Sequence, residues 1–195
     1  MLRDPSPPLV LASASPRRRE LLTRAGVPLE LASAEIDETP LPHEPPHAHA
    51  RRLSAAKARA VARRLGPAPR RFVLAGDTIV ELDGELLGKP GSAENAIRLL
   101  QRLLGRTHRV VTGLTVLATD APDAFTVSVE SRVTMRAADA SEVRAYAETG
   151  EPLDCAGAYA LQGGGRRFVV RVEGSETNVI GLPIDEALDL LRKAG

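Results

Sequence analysis

An α/β protein with a mixed sheet is what the patterning of this chain predicts, on three observations. Short apolar runs of strand length, such as Leu9-Val10-Leu11-Ala12 and Phe72-Val73-Leu74-Ala75, lack polar alternation and suit strands buried on both faces. Segments of helical period lie between such runs, several with Ser or Pro at the start and Gly at the end. No internal repeat or low-complexity linker breaks this alternation of helix and strand.

The elements follow in order. After the first strand, Ser15-Pro16 starts a helix, with Ser as N-cap and Pro at the first helical position. Leu21, Leu22 and Ala25 form its apolar face and Gly26 ends it. Residues 37–48, rich in Pro, Glu and His, are expected to be a loop. A helix from Ala48 to Leu65 should follow, with Leu53, Ala56, Ala60 and Val61 on one face and Gly66 as its stop. Phe72–Ala75 is a second buried strand. Thr78–Leu82 and Glu85–Leu87 flank Asp83-Gly84, a two-residue hairpin signal. Ser92 caps a third helix, which buries Ile97, Leu100, Leu103 and Leu104 and stops at Gly105. Two longer strands, Arg109–Leu117 and Phe125–Met135, surround the turn-rich stretch 120–123. Ser141 is expected to cap a short helix ending at Gly150. Glu151–Gly165 reads as irregular, Phe168–Val172 as a last strand and Pro183–Lys193 as a last helix.

Composition removes several function classes. A net charge of +1 gives no global field to draw in a nucleic acid or a membrane surface. Aromatic residues are 3% of the chain, too few for a base-stacking platform. No apolar run reaches the roughly 18 residues of a membrane span. Cys155 is the only cysteine, so no internal disulfide can form, which suits a reducing, cytoplasmic setting. Residues 1–8, with three prolines, are expected to be a disordered tail and residues 9–195 a single domain. Only three of the 26 basic residues are lysine, which singles out Lys57 and Lys89 in a chain that otherwise defaults to arginine.

Several constellations are able to carry chemistry. Ser13-Ala-Ser15-Pro16-Arg17-Arg18 lies where a strand turns into a helix N-terminus, so hydroxyls, guanidiniums and free backbone N–H groups meet there, as a phosphate-binding corner requires. The same residues also suit a solvated first turn. Lys57 is four residues from both Leu53 and Val61, so it shares the apolar face of its helix and must either snorkel out or meet an anion. In Ala75-Gly76-Asp77-Thr78, Asp77 just past a buried strand suits activation of a water or a divalent cation, although turn aspartates are common. Gly84-Glu-Leu-Leu-Gly88-Lys89 is one residue short of a P-loop, and Pro90 stands where Ser or Thr is needed. His43-Glu44-Pro45-Pro46-His47 fits H-E-x-x-H in letters, but two prolines oppose the helix that a zinc site needs. In the late glycine-rich stretch, one amide, Gln162, stands among glycines, as in a loop laid over a base edge or in a plain surface loop.

The order of these pieces resembles the Maf family of nucleoside triphosphate pyrophosphatases. The likeness is carried by residues 11–18, Ile36-Asp37-Glu38, Ala56-Lys57-Ala58, Gly76-Asp77-Thr78, Gly88-Lys89-Pro90, Thr112-Gly113, Gly157-Ala-Tyr159, Gly163, Gly174-Ser175 and residues 178–183, from about Leu9 to the C-terminus. The resemblance implies an elongated mixed sheet with flanking helices and two lobes around a central cleft, similar to the inosine triphosphate pyrophosphatases. It implies a divalent cofactor, Mg²⁺ or Mn²⁺, and a homodimer. It makes Asp77 the proton acceptor and places Ser13, Ser15, Arg17, Arg18, Lys57 and Lys89 on the substrate, with Glu38 and Asp77 on the metal. The subgroup acting on dTTP and UTP has Arg, Thr and Gln at three distinguishing places, matched here by Arg17, Thr78 and Gln162. Relatives acting on 7-methyl-GTP carry Trp at the first of these, and this chain has no Trp. One departure is Cys155, where family members often have Lys.

The expected reaction is hydrolysis of dTTP and UTP, and of modified pyrimidine nucleotides in the same class, to the monophosphate and pyrophosphate. Alternatives are a non-catalytic nucleotide-binding regulator of cell division, a pyrophosphatase of different base preference, or a metal-binding module built on His43, His47 and His49. Nucleic acid and membrane are not expected partners.

Overall fold

The structure, a computed structural model, describes residues 7–195. Residues 1–6 of the expected tail lie outside the described residues, and Pro7 and Pro8 are exposed. The element order is β1 (Leu9–Leu11), α1 (Pro16–Arg24), β2 (Leu29–Leu31), α2 (Pro46–Leu65), β3 (Phe72–Leu82), β4 (Glu85–Leu87), α3 (Ala93–Leu103), β5 (Thr107–Ala118), β6 (Ala124–Met135), α4 (Ala140–Ala147), β7 (Val169–Glu173), α5 (Glu176–Ile180) and α6 (Ile184–Ala194). The strands form one sheet in the order β2-β1-β3-β5-β6-β7, with β4 also on β3. β1 pairs in parallel with β2 and β3, whereas β3/β4 and β6/β7 are antiparallel, so the sheet is mixed as expected. Among the described residues no helix is long and apolar enough to cross a membrane.

The chain divides into two compact units. The first holds the described residues up to Asp77 together with 113–128 and 181–195; the second holds 78–112 and 129–180.

In the first unit the apolar runs are buried on both faces, and the period of two decides which residue goes where. Leu9, Leu11, Leu74, Leu114 and Val116 form one cluster with Leu22 of α1 and Ala187 and Leu190 of α6. Their neighbours Val10, Ala12, Val73, Ala75 and Leu117 form another, with Ala58 and Val61 of α2. Helix α2 lies directly on β5 at Gly113, where an added Cβ would stand 2.2 Å from the Ala50 carbonyl oxygen. A hydroxyl ladder supports this seat: Ser54 Oγ bonds Thr115 Oγ1 at 3.0 Å, and Thr115 bonds Thr126 at 3.0 Å.

In the second unit α3 presents Ala96, Leu100 and Leu103 to a core that also takes Val80, Leu82, Val110, Val133, Tyr146 and Phe168. Asp83 and Gly84 both take positive φ, 53° and 87°, as a two-residue hairpin turn requires. His108, 1% exposed, shares a 2.8 Å hydrogen bond between its Nε2 and the Tyr159 hydroxyl. Its Nδ1 has no partner among the described residues.

Four expectations are corrected. The segments Phe72–Ala75 and Thr78–Leu82 are one continuous strand, so Asp77 lies within it and not past its end. Helix α2 begins at Pro46 instead of Ala48, because prolines in a first turn lack only N–H groups that the helix does not use. Asp139, not Ser141, caps α4: its carboxylate accepts the Glu142 N–H at 2.9 Å, and Ser141 Oγ donates to it at 2.6 Å. The irregular stretch after α4 is a series of 3₁₀ turns, and α5 and β2, each five residues or fewer, escaped a periodicity reading.

Two outcomes follow from this packing. Gly113→Ala should destabilise the protein by about 3 kcal/mol in urea unfolding, because the added methyl meets backbone, which cannot rotate away. Burial lowers the pKa of His108 from 6.5 to about 4. The unfolded chain therefore takes up a proton near pH 6.5 that the folded chain refuses until about pH 4, and this group makes stability fall as the pH drops through that window. His108→Gln should remove that part of the slope in urea titrations at stepped pH; an unchanged slope would count against the assignment.

Candidate active site

Strand alternation explains the site. Val73 and Ala75 face α2, so Asp77 faces it too, and Lys57 sits on that face of the helix. Its ammonium donates to Asp77 Oδ1 at 2.6 Å and pairs with Glu38 Oε1 at 2.7 Å. Asp77 is 8% exposed. A buried carboxylate without a partner is costly, so Lys57 removes a penalty that the strand itself imposes. The lysine on an apolar face thus meets an anion instead of reaching solvent.

The opposite alternation places Gly76 beneath α1. A Cβ there would lie 3.1 Å from Arg18 Nε and 3.3 Å from Leu114. The close approach at Gly76 is therefore made by side chains of the protein itself. Arg18 is held by two acceptors of its own unit, donating from Nε to the Gly181 carbonyl at 2.8 Å and from Nη1 to Ser13 Oγ at 3.0 Å. Burial lowers its pKa, the charge of Asp77 opposes this, Arg17 adds to the lowering and Glu38 opposes it. Ser13 Oγ also accepts the Ser15 N–H at 3.2 Å, and Ser15 Oγ accepts the Arg18 N–H at 3.5 Å as the N-cap of α1. In these bonds both hydroxyls act as acceptors, which leaves their protons to be donated to an anion. Arg17 is half-buried in the same first turn.

Two carboxylates converging on one ammonium make a cation position, and both offer hard oxygen donors. Mg²⁺ commonly takes one or two carboxylates and completes its shell with substrate phosphate and water, so Asp77 and Glu38 fit such an ion. Among the described residues no group of three or more His, Cys, Asp or Glu is placed to hold a metal. The histidine-rich segment serves structure. Glu44 accepts from Arg52 Nε at 2.6 Å and Nη2 at 2.7 Å and bonds His49 Nδ1 at 2.7 Å, with the Arg52 bonds foremost in holding its carboxyl down to about 2. His47 Nδ1 bonds Ser128 Oγ at 3.0 Å.

The remaining predicted residues belong to the second unit. Thr78 bonds Thr112 Oγ1 at 3.0 Å, and Thr112 donates to the Asn178 carbonyl at 3.1 Å. Lys89 is exposed and lines a pocket of about 430 Å³ together with Glu85, Pro90, Asn95, Arg98 and Arg102. Gln162 is exposed; Cys155 is buried and its thiol donates to the Glu151 carbonyl at 3.5 Å. Sequence reasoning missed Glu151. Gly163 leaves room for it: a Cβ there would fall 1.9 Å from Glu151 Oε1. The one available signal was three consecutive glycines, which do not announce what approaches them.

The family model described as Maf-like protein matches residues 8–194. The dTTP/UTP pyrophosphatase of Geobacter sp. (strain M21) is 47% identical over 187 residues, covering 96% of this chain and 95% of that protein. That of Myxococcus xanthus (strain DK1622) is 50% identical over 187 residues, covering 96% and 92%. That of Anaeromyxobacter dehalogenans (strain 2CP-C) is 48% identical over 194 residues, covering 97% and 95%. Among solved structures, a nucleoside-triphosphatase/dITP/XTP pyrophosphatase from Mycobacterium abscessus aligns at TM-score 0.48 and 15% identity, over 96% of this chain and 97% of that one. With a family model matched from residue 8 to residue 194 and relatives near half-identical over nearly their full length, the chain belongs to the Maf-like protein family.

Proposed function

We propose that this protein is a nucleoside triphosphate pyrophosphatase that hydrolyses dTTP and UTP to the monophosphate and pyrophosphate. The observation that carries the proposal is Asp77, buried in β3 and joined through Lys57 to Glu38, in a chain whose near-full-length relatives are named dTTP/UTP pyrophosphatases. In this reading a water attacks the α-phosphorus, its proton passes to Asp77, and the bond from the α-phosphorus to the bridging oxygen breaks to release pyrophosphate. Lys57 fixes Asp77 through Oδ1, so Oδ2 is the oxygen that takes the proton.

A triphosphate carries about four negative charges at neutral pH, and the site must supply compensating charge where more develops. Arg18 is preorganised by Ser13 and Gly181, and Arg17 leads the same helix turn. Ser13 and Ser15 donate their hydroxyl protons to phosphate oxygens, and Lys57 and Lys89 add ammonium charge. A divalent cation, Mg²⁺ or Mn²⁺, held by Asp77 and Glu38 would supply further positive charge at the phosphate oxygens. Arg17, Thr78 and Gln162 select the base, Gln162 by offering both a donor and an acceptor to the imide edge of uracil or thymine. A cytoplasmic homodimer is part of the same proposal.

Asp77→Asn should lower kcat by about 10²–10⁴-fold while leaving the thermal midpoint within a few degrees of the parent, since a positioned base contributes that much. Near-normal turnover would remove Asp77 as the base. In a panel of nucleoside triphosphates with Mg²⁺ or Mn²⁺, dTTP and UTP should be the best substrates and pyrophosphate, not orthophosphate, the product. Faster hydrolysis of GTP or ITP would overturn the base assignment, and release of orthophosphate would overturn the reaction.

A further inference from the structure

We infer that Glu151 is a positioning residue for base selection, fixing where Gln162 stands; this rests on the proposed role of Gln162 in contacting the base. Its two carboxylate oxygens accept the N–H groups of Gly164 at 3.1 Å and Gly165 at 3.2 Å. Successive backbone N–H groups converging on one anion form a concave nest, and here the anion is supplied from within the chain. Gly163 has to be glycine for the carboxylate to come this close. On the other side of Gln162, the Ala160 N–H donates to the Tyr146 hydroxyl at 3.0 Å. The Gly163 N–H closes the turn by donating to the Ala160 carbonyl at 3.2 Å. Gln162 is thus the exposed tip of a tight turn anchored on both flanks, after it to the half-buried Glu151 carboxylate and before it to the Tyr146 hydroxyl.

Base chemistry shows why position matters. An amide that donates and accepts pairs with the N–H and C=O of uracil or thymine, and guanine presents an N–H beside a C=O as well. The chemistry of Gln162 therefore does not separate UTP from GTP. The two differ in how far that edge lies from the sugar, because the purine has a second ring. Only a backbone held in place converts that difference in reach into discrimination, and a preorganised turn does so without an ordering cost on binding.

The test is a double-mutant cycle on the ratio of kcat/KM for UTP over GTP, in Glu151→Gln, Gln162→Ala and the double variant. Glu151→Gln keeps the size of the side chain but turns an NH₂ group toward one of the two glycine N–H donors. It should lower the ratio about tenfold, mainly through KM for UTP, and Gln162→Ala should lower it similarly. The double variant should fall no further than Gln162→Ala alone, and the Gly164 and Gly165 amides should lose their protection from hydrogen exchange in Glu151→Gln. Should that variant fail to fold, Glu151→Asp, which keeps the charge and withdraws it by one methylene, enters the same cycle. An unchanged ratio in Gln162→Ala overturns the base assignment and this inference together. A normal ratio in the Glu151 variant, or a full additional loss in the double variant, overturns the role of Glu151 alone.

Discussion

A carboxylate carried on a strand covered on both faces has to be neutralised, and Lys57 does this for Asp77. The run Val73-Leu74-Ala75 buries both faces of β3, and alternation then sends Asp77 toward α2 with little solvent to stabilise its charge. Lys57 can meet it because α2 is seated on β5 at Gly113 and the apolar face of α2 turns Lys57 inward. Glu38, whose side chain is 59% exposed, completes the triad from the loop before α2. Strand pairing, helix seating and loop course all have to be right for three charged groups to meet within hydrogen-bond distance.

The same constraint gives chemical meaning to the start of α1. A guanidinium brought into a partly desolvated place loses hydration, and Arg18 replaces it with the Gly181 carbonyl and the Ser13 hydroxyl. Such an arginine is ordered before any phosphate arrives, so little freedom remains to be lost on binding. The glycine-rich turn of the second unit repeats this logic with the opposite charge: Glu151 is the anion, and the backbone supplies the donors.

Two motif-like spacings weighed from sequence both give way under these packing rules. The zinc-like spacing around His43 and His47 dissolves, because Glu44 is bound to Arg52 and His49 while His43 takes a positive φ outside α2. The paired prolines explain this: they suit a helix start, so the segment splits between loop and first turn. The near P-loop around Gly88-Lys89 is a hairpin strand and its exit, with Lys89 exposed beside Pro90.

The sequence by itself determined the class, most element positions and the chemical types at the site. Apolar runs, caps and turn residues are local signals, and Ser15, Ser92, Gly66 and Asp83-Gly84 act in the structure as their local chemistry requires. It also placed Lys57 on the apolar face of its helix, because a period of 3.6 can be counted along the chain. Tertiary structure alone decided which carboxylates Lys57 would meet, that Asp77 lies inside a continuous strand, and that Gly181 accepts from Arg18. It alone revealed Glu151 behind Gly163, since a missing Cβ records that something approaches without recording what. The physical reason is range: propensity and periodicity act over a few residues, whereas hydrogen bonds between Arg18 and Gly181 join positions 163 residues apart and exist only once the chain has folded.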